Sequence, residues 1–361
     1  MRRYNSIKEW RIKMIQRIFH PIGQGAFYSE RHEGLNIVYD CGELKDTKKA
    51  DGVVKQSFRE EDTIDILFIS HFDFDHVSKI KILKENFKIS KVVLPLLHEN
   101  EIVFLRQFYS SIGLSEVNSL ISEPKEYFGE SSQIIKIKAV QGGENPNNER
   151  ETIDLENLVD SELDSGTILK QKDWVFIPYN YRYNQRKIKI EKLFNENKLD
   201  IEEFKNSIDY ALFHRKLIKK IYEKVEGGIN ENSMILYSGP VDNSHFQTLN
   251  FQETLHNPHV LIPRVGCIYT GDADLKYTDL YKTYKQFWDY VGTIQIPHHG
   301  SIHSFDYNIF KYGKYLCPIS FGINNTFGHP SSIVINDILR YDCIPIFITE
   351  HPESIFVQLF T

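Results

Sequence analysis

The chain has 361 residues, 41% apolar and 25% charged, with 43 basic against 49 acidic side chains for a net charge of −6. These values exclude a disordered or fibrous chain and a chain-wide polyanion-binding surface, so any contact with nucleic acid must come from a local patch or from bound cations. No apolar run approaches the roughly 18–20 residues of a membrane helix, the basic start lacks the apolar stretch of a signal peptide, and Cys41, Cys267, Cys317 and Cys343 form no CxxC pair. The expectation is a cytoplasmic globular protein with no membrane segment.

In chain order, Ile15–Phe19, Phe27–Arg31 and Leu35–Asp40 read as short strands punctuated by Gly23, Gly25 and Gly34. Ile64–Ile69 is a near-continuous apolar run, as expected of a strand covered on both faces. Val77–Phe87 has helical spacing, Lys91–Pro95 reads as a strand and His98–Ile112 as a second helix. Gly142–Asp164 is rich in Glu, Asn and Asp and reads as a polar loop. The stretch from about Arg186 to Val225 has almost no Gly or Pro and reads as helical. From Tyr181 to Lys224 it carries twelve Lys/Arg and seven Asp/Glu, a mixed-charge face that reads as a solvated helical insertion or cap over 181–226.

Strand rhythm returns at Met234–Tyr237, Cys267–Thr270, Thr293–Ile296, Leu316–Phe321, Pro345–Thr349 and Ile355–Phe360, with helices at Thr278–Tyr290 and Ser332–Arg340. Strands at both ends with helices between them predict an α/β chain, two sheets sandwiched by helices in one domain over 1–361.

The strongest chemical signal follows the apolar run at 64–69. Ser70-His71-Phe72-Asp73-Phe74-Asp75-His76 places four potential metal ligands within six positions. Imidazoles and carboxylates together suit Zn²⁺, Mn²⁺ or Fe²⁺. The arrangement recurs. Gly266–Thr270 runs into Gly271-Asp272, Gly292–Ile296 into Pro297-His298-His299-Gly300-Ser301, and Leu316–Phe321 into Gly322–Pro330 with His329. Four apolar strands that each deliver Asp or His at one end predict convergence on one site.

These motifs resemble those of the metallo-β-lactamase fold hydrolases. His71–His76 is similar to their HxHxDH signature with Asp73 in place of the second His, and Asp272 resembles their strand-end bridging aspartate. Within that group the chain most resembles the soluble hydrolase domain of the competence DNA-uptake protein ComEC. The shared order is Gly23-Gln24-Gly25, Asp40-Cys41-Gly42, Asn232-Ser233, Thr270-Gly271-Asp272, His298-His299-Gly300-Ser301 and Gly328-His329-Pro330. Ala26 departs from the Asp usual after GQG, and there is no membrane channel.

The resemblance implies an αββα sandwich and two divalent ions, Zn²⁺ or Mn²⁺. His71 and Asp73 would serve one, Asp75 and His76 the other, with Asp272 bridging and either His298 or His299 completing the second site. His298, which comes first off the strand, is the expected ligand of the two. The third His of many relatives has no clear equivalent: His245, His256 and His259 lie in the interval outside any motif. Two cations about 3.5–4 Å apart give hydroxide from a bridging water near neutrality and neutralise charge on a phosphoryl oxygen. Asp75 would orient that water, and His329 would contact phosphate or protonate the leaving oxygen.

The function so implied is a metal-dependent phosphodiesterase or nuclease acting on nucleic acid or a nucleotide. Hydrolysis of a small ester, lactone or cyclic nucleotide, and a non-catalytic metal-binding subunit, are the alternatives. Gly23-Gln24-Gly25 is not a phosphate loop, since it lacks GxxxxGK[ST]. His20 reads as a structural strand-end residue, Cys41 as a buried thiol, and Tyr179, Tyr181 and Tyr183 as strand packing.

Overall fold

A computed structural model describes residues 14–141, 150–222, 229–230, 232–242, 248–251 and 264–361. Two sheets of nine strands each face one another. The first runs in the order Thr248–Phe251, Phe356–Phe360, Ile15–Phe19, Gly25–His32, Leu35–Glu43, Thr63–Phe68, Lys88–Pro95, Gln133–Ile137, Ser161–Leu163. The second runs Ile344–Ile348, Leu316–Ser320, Val291–Ile294, Gly266–Tyr269, Asn232–Pro240, Trp174–Arg182, Ile168–Gln171, Thr152–Asp154, with Ala139–Gln141 beside Trp174–Arg182.

Period-two alternation sorts the side chains into three cores. Ile66, Phe68, Val93, Phe176, Leu236 and Tyr269 fill the space between the sheets. Their strand neighbours Leu67 and Val92 face helices Ile80–Asn86 and Glu99–Ile112 on one outer side. Ile235, Ile268 and Ile319 face helix Ser332–Arg340 and its neighbours on the other. The result is a helix–sheet–sheet–helix sandwich. Among the described residues no helix is long and apolar enough to cross a membrane.

The segment 150–164 differs from the expected loop. Thr152–Asp154 joins the edge of the second sheet and Ser161–Leu163 the edge of the first, while Leu155, Leu158 and Leu163 enter the inter-sheet core. Three leucines spaced among acidic residues cap the open end of the sandwich. The helical stretch near 181–226 is divided into Asn184–Glu196, Ile201–Asn206, Ile208–Phe213 and Arg215–Tyr222. Asp200 and Ser207 accept hydrogen bonds from the N–H groups of Glu202, Glu203 and Tyr210, so each starts a new helix. Ile190, Phe194, Phe204 and Ile218 pack with Phe104, Leu105 and Phe108 of helix Glu99–Ile112.

A buried ion pair within the first sheet is bonded across to the second. The Arg17 Nε donates to Glu30 Oε1 at 2.8 Å, and Ser238 Oγ and Tyr269 OH from the opposite sheet donate to the same carboxylate at 2.7 and 2.9 Å. Burial alone would raise the Glu30 carboxyl, but Arg17 and His32 beside it hold it well below the usual range. Removing one member strands the other without compensation. Glu30→Ala is therefore expected to lower unfolding free energy by about 3–5 kcal/mol in denaturant titrations; a loss below about 1 kcal/mol would count against this role.

Candidate metal centre

Every strand in the middle of each sheet contributes its end to the same edge. Strands Leu35–Glu43, Thr63–Phe68 and Lys88–Pro95 are mutually parallel, as are Gly266–Tyr269, Val291–Ile294 and Leu316–Ser320. Their carboxyl ends meet where the sheets are stitched together. Met234 N–H donates to Ser70 O at 2.8 Å, and Tyr39 OH to Met234 O at 2.7 Å.

Asp40 lies at the centre of this edge, fully buried, with its backbone in the left-handed region at φ +53°. Its Oδ1 accepts from Ser70 N–H and its Oδ2 from Ser70 Oγ, both at 2.7 Å. His76 Nδ1 is 2.8 Å from the same Oδ2 and must donate, because a carboxylate only accepts. The Ser70 proton is committed to Asp40, so Ser70 Oγ accepts from His71 Nδ1 at 2.8 Å. On the facing sheet, His299 Nδ1 donates to the Ser320 carbonyl at 2.8 Å. Each of these three imidazoles thus carries its proton on Nδ1 and turns Nε2 inward, the second-layer arrangement that orients metal-binding histidines.

What those nitrogens face is carboxylate. Asp272 splits its two oxygens: Oδ1 lies 3.2 Å from His76 Nε2, while Oδ2 lies 3.7 Å from His71 Nε2 and 3.4 Å from His298 Nδ1. Asp75 Oδ2 lies 2.9 Å from His299 Nε2. Among the described residues two groups have donor atoms close enough for one cation each, His71–His76–Asp272 and Asp75–His76–His299. Their fit to a metal is tested by what lacks a partner. His71 Nε2, His76 Nε2, Asp272 Oδ1 and His298 Nδ1 are buried without a hydrogen bond, an expensive state for four polar atoms unless a ligand serves them.

Asp73 stands at the start of helix Phe74–Val77 but does not cap it. Its Oδ1 accepts from Asn230 Nδ2 at 2.7 Å, which leaves Oδ2 3.5 Å from His71 Nε2. The Tyr109 hydroxyl, 3.2 Å from that Oδ1, gives its proton to the Phe72 carbonyl at 2.6 Å. Arg186, from the first turn of helix Asn184–Glu196, donates to the carbonyl of Asn230 at 3.1 Å and to that of Asp272. Gly42 is required by proximity: a Cβ there would lie 2.5 Å from the His76 carbonyl carbon, in the helix that carries Asp75 and His76.

The sequence-predicted residues His71, Asp73, Asp75, His76, Asp272, His298 and His299 are therefore brought to one edge. Of the doublet, His299 rather than His298 joins Asp75 and His76. His298 and His299 both adopt positive φ, +49° and +55°, a turn that sends consecutive side chains to different parts of the site. His329 lies with its ring 5.7 Å from His298 and 6.5 Å from His299. Ser233 Oγ accepts from the Asp272 N–H at 3.3 Å. His245, His256 and His259 lie outside the described residues.

Other expectations resolve into packing. His20 is buried against Phe27 and bonded to Ser29 Oγ. Cys41 is buried, and desolvation raises its thiol well above the ordinary value. Tyr181 and Tyr183 place their hydroxyls on Thr283 and Thr278. Gln24 of the early Gly-Gln-Gly accepts from Gly322 N–H at 3.1 Å, tying two loops together. Sequence reasoning missed Arg186, which looked like one basic residue among many, and the partners Asn230 and Tyr109.

Neighbouring charges of opposite sign oppose the effect of burial throughout the site. Burial opposes charge on His76, yet Asp272 and Asp40 raise it well above the usual imidazole value. Burial likewise opposes charge on His299, and Asp75 raises it. Desolvation would lift Asp272, but His298, His76 and His71 hold it well below the carboxylate range. Burial lowers His298, with Asp272 offsetting only part of that.

Residues 25–171 match the family model described as Metallo-beta-lactamase superfamily. The metallo-beta-lactamase fold protein YhfI from Bacillus subtilis superposes with a TM-score of 0.44 at 9% identity, covering 96% of this chain and 100% of that one. Human tRNase Z, short form, gives 0.40 at 10% identity over 92% of both chains. A long-form RNase Z from yeast gives 0.35 at 10% identity, covering 85% of this chain and 36% of that one. No curated protein matches the sequence. The helix–sheet–sheet–helix sandwich is the architecture expected from the metallo-β-lactamase resemblance, and the family model matches its residues 25–171.

A cation must displace the protons on His76 and His299, so metal affinity is expected to rise as pH goes from about 6 to about 8. Calorimetric titration in buffers of different ionisation enthalpy should register proton release. Uptake without release would contradict the assignment. Gly42→Ala is expected to weaken metal uptake, read by elemental analysis of dialysed protein; unchanged metal content would contradict the required close approach.

Proposed function

We propose that this chain is a metal-dependent hydrolase that cleaves phosphodiester bonds in nucleic acid or nucleotide substrates. The observation that carries the reading is the set of buried imidazoles anchored at Nδ1, with Nε2 of His71 and His76 left unpartnered beside Asp272. In this reading His71, Asp73 and Asp272 hold one divalent cation, and Asp75, His76, Asp272 and His299 hold the other. Three carboxylates beside three imidazoles give an oxygen-rich donor set that suits Mn²⁺ as well as Zn²⁺. The ComEC-like order of motifs along the sequence supports a polynucleotide substrate. The described residues are read as one unit, with the helices between Asn184 and Tyr222 an insertion that reaches the site through Arg186.

Bound cations supply Lewis acidity toward a phosphoryl oxygen and lower the pKa of adjacent water. The chain's own groups do the positioning. Asp272 turns one oxygen to each side of the site and holds the two halves in register. Arg186 and Ser233 fix its backbone from both sides. Asn230 fixes Asp73 so that one oxygen alone faces inward. Asp75 is the most solvent-accessible of the inner carboxylates and accepts a hydrogen bond from His299. Without a cation, burial alone would raise Asp75 and that bond holds it down; bound cations would keep it ionised by their own charge, as an acceptor for the proton of an attacking water. Burial, with His298 and His299 beside it, pushes His329 down to about 3. It therefore serves as a neutral imidazole that donates a hydrogen bond to a phosphoryl or leaving oxygen.

Asp75→Ala is expected to reduce hydrolysis of bis(4-nitrophenyl) phosphate and labelled single-stranded oligonucleotides by roughly 100-fold or more, with an unchanged circular dichroism spectrum. Turnover by the folded variant at the wild-type rate would refute the assignment. Chelation should abolish activity, and Mn²⁺ or Zn²⁺ should restore it; activity that survives complete chelation would be equally damaging.

A further inference from the structure

The loop that follows strand Leu316–Ser320 is tightly built. Asn325 Nδ2 donates to the carbonyls of Gly322 and His329 at 2.7 and 2.6 Å, and its Oδ1 accepts from the N–H groups of Phe327 and His329 at 3.1 Å each. Three more bonds moor the loop to the body of the protein. Gly322 N–H donates to Gln24 Oε1 at 3.1 Å, Ile323 N–H to Glu350 Oε2 at 3.0 Å, and Ser331 N–H to Gly300 O at 3.0 Å. The last of these fixes the loop to the turn of the histidine doublet. There Gly300 packs so closely that a Cβ would lie 2.6 Å from Pro330 Cβ.

A loop held this firmly nevertheless leaves apolar side chains in solvent. Ile323 is 57% and Phe327 49% exposed. The Phe327 ring stacks on His329 at 5.9 Å with 26° between planes, and His329 in turn contacts the rings of both His298 and His299. Single exposed apolar residues are ordinary on a protein surface. Phe327 differs because its backbone is pinned and only one imidazole separates its ring from the doublet that faces the metal-binding carboxylates. Ring centroids step 5.9 Å from Phe327 to His329 and 5.7 Å from His329 to His298. A rigid aromatic ring there offers a flat apolar face with little ordering left to lose on binding.

We propose that Phe327 is the platform on which the nucleobase flanking the scissile phosphate stacks, with Asn325 the positioning residue that holds it. The substrate's identity as a nucleotide phosphodiester rests on the function proposed above. Stacking on a bare ring is tolerant of base identity, so the device selects nucleotides over alkyl or sugar phosphates without reading sequence.

The test titrates Mn²⁺-loaded protein with AMP, CMP and ribose 5-phosphate and measures equilibrium affinity. Both nucleotides should bind roughly 5- to 100-fold more tightly than ribose 5-phosphate. Phe327→Ala should erase that difference, Phe327→Trp should keep it, and Phe213→Ala, at a remote residue 84% exposed, should leave it unchanged. Equal affinity of the wild type for all three, or a preference that survives Phe327→Ala, would overturn the proposal. A Phe327-dependent base preference in a protein that cleaves no phosphodiester would support the platform while removing the hydrolase reading. Cleavage without any base preference would do the reverse.

Discussion

The site depends on hydrogen bonds made on the far side of each imidazole. Asp40 takes the Nδ1 proton of His76, and through the committed hydroxyl of Ser70 it also fixes His71. The Ser320 carbonyl does the same for His299 from the opposite sheet. With Nδ1 engaged, Nε2 has one direction to point, and for all three that direction is toward Asp272 or Asp75. The arrangement tolerates buried orphan atoms on both sides of the site. Such atoms are destabilising unless the fold is arranged around something they bind.

The fold supplies this geometry cheaply because parallel strands end together. The strands that carry Asp40 and the His71 loop are neighbours in one sheet, and those that carry Asp272, the doublet and Ser320 are neighbours in the other. Packing the sheets face to face brings the two sets within bonding distance, with Tyr39 and Ser70 as direct links. Gly42 lets the short helix of Asp75 and His76 rest against its strand. Helix Asn184–Glu196 then reaches in from outside the sandwich, since Arg186 holds the backbones of Asn230 and Asp272.

Much of this was legible in the sequence, because strands buried on both faces read as apolar runs and a change to Asp or His at their ends stands out. Helix Ser332–Arg340 follows directly from that rhythm, whereas the long strands run beyond their apolar centres, to Asn232–Pro240 for the expected Met234–Tyr237 and to Leu35–Glu43 for Leu35–Asp40. The doublet was ambiguous for a physical reason. Adjacent residues normally point apart, and only the consecutive positive φ values decide which ring goes where. Asn230, Tyr109 and Arg186 were hidden because each acts on a residue tens to more than a hundred and fifty positions away, with no local spacing to mark it. Thr152–Asp154 and Ser161–Leu163 escaped notice because short edge strands bury few residues, so acidic composition outweighed three leucines. The helical stretch hid its breaks because Asp200 and Ser207 mark caps only when their side chains turn back on the following N–H groups.

The most direct test of the central claim is an anomalous difference map from crystals of the protein grown with Mn²⁺ or Zn²⁺. The account predicts two peaks flanking Asp272, one within about 2.0–2.3 Å of His71 Nε2 and the other at the same distance from Nε2 of His76 and His299. A map without peaks there, or with His71 and His76 rotated so that Nε2 rather than Nδ1 meets Ser70 and Asp40, would contradict it.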